Sequence, residues 1–104
     1  MNEEQKREIR AKVGGQTAEI EILGQWCCFK CPSLVDWETF AEKVQSGKHS
    51  RSAAARELAY ATVLHPKVED LQALFEKQPA VVANVSAMIG TLAGNDIGGE
   101  IKKG

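Results

Sequence analysis

Residues 79–94 read PAVVANVSAMIGTLAG and contain no charged side chain. The stretch opens on a proline, which suits the first turn of a helix, and closes on a glycine, which commonly ends one. Its larger apolar residues recur at helical spacing and predict one buried stripe, formed by Val82, Val85, Met88, Ile89 and Leu92. The sequence therefore predicts a helix that packs against the rest of the fold through this stripe.

The opposite face of the same predicted helix is unusual, because it offers only small or neutral residues. These are Ala83, Asn84, Ala87 and Gly90. A helix face in water normally carries charges, so we expect this second face to be covered as well. The cover is supplied by the domain itself, by another subunit or by a partner.

Three further helices are predicted between residues 33 and 79. Ser33 is placed to cap the first, Trp37 and Phe40 begin its apolar stripe, and Gly47 ends it. The second begins near residue 50 or 52 and ends before Pro66. It is apolar around more than half its circumference, which predicts a central position. The third follows Pro66 and buries a stripe formed by Val68, Leu71, Leu74 and Phe75.

The N-terminal part of the chain is predicted to form strands. Ile20 and Ile22 alternate with glutamates, which is the two-residue period of a strand. The pair of glycines at 14–15 predicts a hairpin turn between residues 7–13 and 17–23, and residues 26–31 predict a third strand. The charge density of residues 2–12 suits a short helix equally well.

Together these patterns predict an α+β fold, in which an antiparallel hairpin or three-stranded sheet precedes a bundle of about four short helices. The 104 residues fit a single domain. We expect a β region over residues 1–31, a helical region over 33–94 and a loose tail over 95–104.

Composition excludes several classes of protein. The net charge is −1, which disfavours a strongly basic nucleic-acid binder. The charged N-terminus lacks the apolar run of a signal peptide, and residues 78–95 are too short and too polar to cross a membrane. We therefore expect a cytoplasmic protein that binds neither nucleic acid nor membrane.

The sharpest chemical motif is the cluster Cys27, Cys28 and Cys31. It contains a CxxC spacing, which in redox proteins lies at a helix N-terminus, whereas here it falls in a predicted strand. A zinc site would need a fourth ligand, for which His49 and His65 are the only histidines. The simpler interpretation is that these are free thiols filling apolar space, with no metal, no cofactor and no catalytic site.

The order of motifs along this chain resembles that of a known protein family. A strand ending at Pro32 leads into the Trp37–Phe40 helix, a central helix ends at His65-Pro66, and an apolar helix closes at Gly94. Over residues 24–94 this order resembles the small tail assembly chaperones of long-tailed bacteriophages and prophages.

The resemblance implies a non-enzymatic protein of the host cytoplasm. Proteins of this family bind the long, helical tape measure protein and keep it soluble until tail tube subunits polymerise around it, and they are absent from the mature virion. The tape measure protein is therefore the expected partner, the tail tube protein a second one, and self-association is expected. A metal or redox module built on the cysteines and an adaptor for some other helix are the alternatives.

The uncharged helix suggests where a partner would bind, either as stacked subunits or as an amphipathic helix in a groove. The alternative is that these residues form ordinary core. Glutamate at position 83 or 87 would separate the two, since it should disrupt an assembly but leave an isolated chain folded. The residues hypothesised to form the partner-binding surface are Leu71, Phe75, Val81, Ala83, Val85, Ala87, Met88, Ile89 and Leu92.

Overall fold

The computed structural model of the chain describes residues 1–94 and has the α+β architecture predicted above. The predicted tail, 95–104, lies outside the described residues. The elements are, in order, α1 (Glu3–Arg10), β1 (Thr17–Ile22), β2 (Gln25–Lys30), α2 (Leu34–Ser46), α3 (Arg51–Thr62), β3 (Val63–His65), α4 (Val68–Lys77) and α5 (Val81–Leu92).

The three strands form one antiparallel sheet in the order β1-β2-β3. Strands β1 and β2 are joined by a tight turn in which Leu23 and Gly24 both have positive φ, 50° and 79°. Such turns match the right-handed twist of a hairpin, and a glycine at the second position relieves strain. The pairing places Glu19 opposite Cys28 and Ile20 opposite Cys27, so adjacent residues of each strand face opposite sides of the sheet.

The first segment is a helix, so the predicted hairpin through the two glycines at 14–15 is wrong. Asn2 and Gln5 form a reciprocal cap: the Asn2 side chain accepts from the Gln5 amide at 2.8 Å, and the Gln5 side chain accepts from the Asn2 amide at 3.0 Å. Helix α1 buries no residue completely, and most of its charged side chains are exposed. The helical alternative for residues 2–12 is the one that the structure adopts.

The third strand comes instead from residues that the sequence analysis assigned to the end of a helix. The fully buried Thr62 hydroxyl donates to the Leu58 and Ala59 carbonyls at 2.9 and 3.3 Å, and the chain becomes extended at Val63. Pro66 disfavours helical geometry at the residue before it, so the intervening segment pairs with β2 instead. A strand thus lies inside the predicted helical region, and a helix inside the predicted β region.

The predicted start and end of α2 are confirmed. The Ser33 hydroxyl accepts from the Asp36 amide at 3.1 Å, and Gly47 ends the helix with φ of 69°. Ser50 caps α3 in the same way, and Gly94, with φ of 98°, follows α5. Helix α4 follows Pro66 as predicted, with Lys67 as the residue that precedes its first turn.

The predicted central helix, α3, does lie at the centre, in contact with α2, α5 and the sheet. The inner face of the sheet packs on this helical layer. One apolar cluster joins the two layers, and its buried members are Ala18, Ile22, Cys27, Phe29, Ala55, Leu58, Ala59, Leu71, Phe75, Val82, Val85 and Ile89.

Within residues 1–94, no helix has the length and apolar character needed to cross a bilayer.

Leu71 tests whether this cluster holds the fold together. Its side chain has no exposure, so Leu71→Ala leaves a cavity and should lower the free energy of unfolding by about 2–5 kcal/mol. Leu34 is the matched control, because its side chain is 74% exposed and Leu34→Ala should change stability by less than about 0.5 kcal/mol. Urea unfolding followed by circular dichroism measures both; equal losses would contradict this description of the core.

Candidate functional site

Helix α5 has two faces with different environments. Val82, Val85 and Ile89 are buried in the apolar cluster, whereas Ala83 and Ala87 are exposed. The buried stripe confirms the predicted inner face. The small-residue face is the one that the sequence analysis expected to be covered, and within the described chain it borders a groove.

This groove lies between α2, α3 and α5 and has a volume of about 560 Å³. Helix α3 contacts both α2 and α5, so the groove runs over the first turns of α3, between a wall formed by α2 and a surface of α5 that is here called the floor. The residues that line it are Trp37, Phe40, Arg51, Ser52, Ala55, Pro79, Ala80, Val82, Ala83, Ser86, Ala87, Gly90 and Thr91.

The α2 wall is aromatic. The rings of Trp37 and Phe40 lie 5.2 Å apart at 47°, and both residues are half-buried against the apolar cluster. Leu34, which is 74% exposed, precedes Trp37 by one helical turn and extends this apolar wall beyond the groove. Large, rigid aromatic side chains with one face packed and one face free are typical anchors of protein interfaces.

The floor is made of small side chains. Ala83 and Ala87 are four residues apart and therefore lie one above the other on the helix, and Gly90 continues the same strip. Small residues let the backbone of a second helix approach closely, as they do at tightly packed helix pairs. The hydroxyl side chains of Ser52, Ser86 and Thr91 also line the groove, so its surface combines apolar and polar groups.

The hypothesised surface residues divide into three groups. Leu71, Phe75, Val85 and Ile89 are not surface residues: they are buried in the core, since their side chains fill the space between the helical layer and the sheet. Val81, Met88 and Leu92 are half-buried and pack against that core. Of the nine, Ala83 and Ala87 alone line the groove.

Sequence reasoning missed the parts of the groove that α2 and α3 supply. It interpreted Trp37 and Phe40 as the beginning of an apolar stripe, and it did not include Arg51 among the hypothesised surface residues. The spacing of the aromatics identifies their shared face, but the position of α2 beside α5 depends on long-range packing. The small residues of α5 were the one local signal of the groove.

A second cavity, of about 600 Å³, adjoins the first and lies between α3 and α4. The charged side chains of Arg56, Glu57 and Glu76 line it, and Tyr60 and Phe75 meet at its base with ring centroids 5.9 Å apart. Because its lining is charged, this cavity is less suited than the α2–α3–α5 groove to bind an apolar surface of another protein.

The cysteines do not converge. Cys27 belongs to the inner apolar cluster, whereas Cys28, the next residue of the strand, points to the outer face of the sheet, and Cys31 is exposed. Burial raises the pKa of the Cys27 thiol to about 11 and also raises that of Cys28. Cys27 and Cys28, on opposite sides of the sheet, are poorly placed to bind one metal ion, and Cys28, the first thiol of the CxxC spacing, is buried whereas Cys31 is exposed beyond the strand.

Within the described chain, no three His, Cys, Asp or Glu side chains lie close enough to form a metal site. His65, one of the two ligands that a zinc site could have recruited, stacks instead at 5.8 Å from the Trp26 ring. Burial lowers the pKa of its imidazole. The contact between the two rings therefore favours a structural role for both His65 and Trp26.

Helix α1 is held against the outer face of the sheet mainly by charged groups. Arg10 donates two hydrogen bonds to the Glu19 carboxylate, both at 2.7 Å, and the cationic groups of Lys6 and Arg10 lie 5.5 and 5.6 Å from the Trp26 ring centroid. Cys28 is paired opposite Glu19 on this face and has no exposed surface. We infer that α1 and its contacts cover this thiol.

No protein-family model, no curated protein and no solved structure matches this chain.

Thiol labelling tests whether α1 shields the Cys28 side chain from solvent. In the native protein at neutral pH, we expect Cys31 to react rapidly with 4,4′-dithiodipyridine and the two buried thiols to react slowly. Arg10→Ala removes the ion pair that holds α1, so Cys28 should react several-fold faster while Cys27 stays slow. Arg7→Ala, at an exposed position of the same helix, is the control, and unchanged Cys28 labelling in Arg10→Ala would contradict the proposed cover.

The Glu19 contacts also predict a pH dependence. The hydrogen bonds from Arg10 lower the pKa of Glu19 from 4.5 to about 2. The resulting stabilisation is fully present above about pH 4.5 and is lost as the pH falls toward 2. Glu19→Gln should therefore destabilise the protein at neutral pH, and its deficit relative to wild type should shrink as the solution is acidified through this range.

Urea unfolding at pH 7 and at pH 3 measures that deficit. Glu21→Gln, an exposed position on the same face of β1, serves as the control for loss of a surface charge. A Glu19→Gln deficit that stays constant between the two pH values would disprove the role of this ion pair.

Proposed function

We propose that this chain is a non-enzymatic tail assembly chaperone whose α2–α3–α5 groove holds a helical segment of the tape measure protein. The observation that carries the proposal is the uncharged, small-residue face of α5, exposed at Ala83 and Ala87, beneath an aromatic wall. The resemblance over residues 24–94 supplies the identity of the partner.

The shape of the groove suits a helix. Its floor is a straight strip of small residues along α5, and its wall offers two aromatic rings at one-turn spacing. An amphipathic helix buries side chains at i, i+3, i+4 and i+7 in such a groove. Its apolar stripe would cover Trp37 and Phe40 while its backbone approaches Ala83 and Ala87.

Binding of this kind accounts for a chaperone role without catalysis. A long amphipathic helix exposes a continuous apolar stripe that promotes aggregation before its final partners assemble around it. Covering that stripe segment by segment keeps the chain soluble and leaves it free to be released. The resemblance further implies that the protein acts in the host cytoplasm during assembly, until tail tube subunits polymerise around the tape measure protein, and that it is absent from the finished virion.

Co-expression tests the proposal. The tape measure protein is expected to be the long, helix-rich product of a neighbouring gene, and it should be recovered in the soluble fraction, bound to this chain, only when the two are produced together. Ala87→Glu or Ala83→Glu should abolish that recovery, because each places a charge on the exposed floor of the groove without entering the core.

Ala73→Glu is the matched control, because Ala73 is exposed on α4 and lines none of the cavities described above. It should behave as wild type. Circular dichroism must show that both groove variants remain folded. Normal recovery with folded Ala87→Glu, unfolding of both groove variants, or failure of the wild-type chain to solubilise its partner would each contradict the proposal.

A further inference from the structure

The groove carries its single charged side chain, Arg51, at one end. Arg51 is the first residue of α3 and lines the groove together with Ser52 and Pro79, whereas Trp37 and Thr91 line its other end. The remaining lining residues are apolar, small or neutral, so this guanidinium is the one charged side chain that the groove presents within residues 1–94.

Among residues 1–94, no carboxylate forms an ion pair with Arg51. Lys48 and Arg56 lie within five residues of it along the chain, and Glu57, the carboxylate nearest in sequence on α3, is engaged by Lys43 at 2.7 Å. The two ion pairs found within residues 1–94 are this one and the pair between α1 and β1, so neither involves Arg51.

We propose that the helix bound in the groove carries a carboxylate beside its apolar stripe, and that Arg51 binds this carboxylate. The inference rests on the proposed function and specifies which helices of the partner can be held. A guanidinium is suited to this task, since it can donate two parallel hydrogen bonds to a carboxylate.

The contact between Arg51 and this carboxylate, here called the acidic anchor, would determine the register and the selectivity of helix binding more than the overall affinity. Apolar side chains along a long amphipathic helix are repetitive and could occupy the groove at several positions. A carboxylate that must meet Arg51 fixes one register and disfavours segments that place a lysine or arginine there, because like charges would then face each other. The tape measure segments bound should therefore carry an aspartate or glutamate next to their apolar stripe.

Overlapping peptides that span the tape measure protein provide the test, with binding measured by fluorescence anisotropy. We expect the peptides that bind to share the acidic position described above. Arg51→Glu should weaken their binding by about tenfold or more. The variant should fold, because an acidic residue is favourable in the first turn of a helix.

Arg7→Glu is the control for a change of net charge, because Arg7 is exposed on α1 at the outer face of the sheet. It should bind as wild type does. A peptide whose carboxylate residue is replaced by lysine should bind wild type weakly and should regain affinity for Arg51→Glu. That reciprocal exchange is the result expected only if the two side chains meet.

The outcomes separate the two proposals. If no peptide binds the folded wild-type chain, the chaperone proposal fails and this inference fails with it. If peptides bind and Ala87→Glu blocks them but Arg51→Glu binds normally, the groove is the site and the acidic anchor is wrong. If sedimentation shows a dimer that Ala87→Glu dissociates, a second copy occupies the groove and the inference is overturned.

Discussion

The packing of Val82, Val85 and Ile89 into the apolar cluster fixes the rotation of α5 about its own axis. Once that stripe faces inward, helical periodicity requires Ala83 and Ala87 to face outward, toward α2 and the first turn of α3. The groove is therefore a consequence of the core and does not depend on a mobile loop. A site built on packed helices holds its geometry before a partner arrives, which reduces the entropy lost on binding.

The outer face of the sheet is stabilised by charged contacts, in contrast to the apolar packing around α5. On the outer face of the sheet, Arg10 of α1 forms an ion pair with Glu19 and lies over the Trp26 ring, and Cys28 is fully buried on this face, as Cys27 is on the inner one. The CxxC spacing joins Cys28 to Cys31, and these thiols stay apart because Cys28 is buried on the outer face of the sheet, whereas Cys31 lies beyond the end of β2, exposed and beside the Leu92 carbonyl.

Local signals in the sequence were sufficient to predict the helices whose ends are marked by a capping residue, a proline or a glycine. Ser33, Gly47 and the uncharged run after Pro79 located α2 and α5 because caps and helical periodicity act within a few residues. Sequence reasoning failed where the outcome depended on tertiary pairing: Val63–His65 becomes a strand because β2 has a free edge beside it. The same limit applies to the groove, whose floor was visible in the spacing of Ala83 and Ala87, whereas its walls come from distant segments.

The central claim, that the small-residue face of α5 is a docking surface, is tested most directly by NMR. The ¹⁵N-labelled chain would be titrated with a soluble helical segment of the tape measure protein, and the amide shifts would be followed residue by residue. The account predicts that the largest changes cluster at Phe40, Ala83, Ala87 and Gly90. Changes confined to the outer face of the sheet around Glu19 and Trp26, or no changes at all, would contradict it.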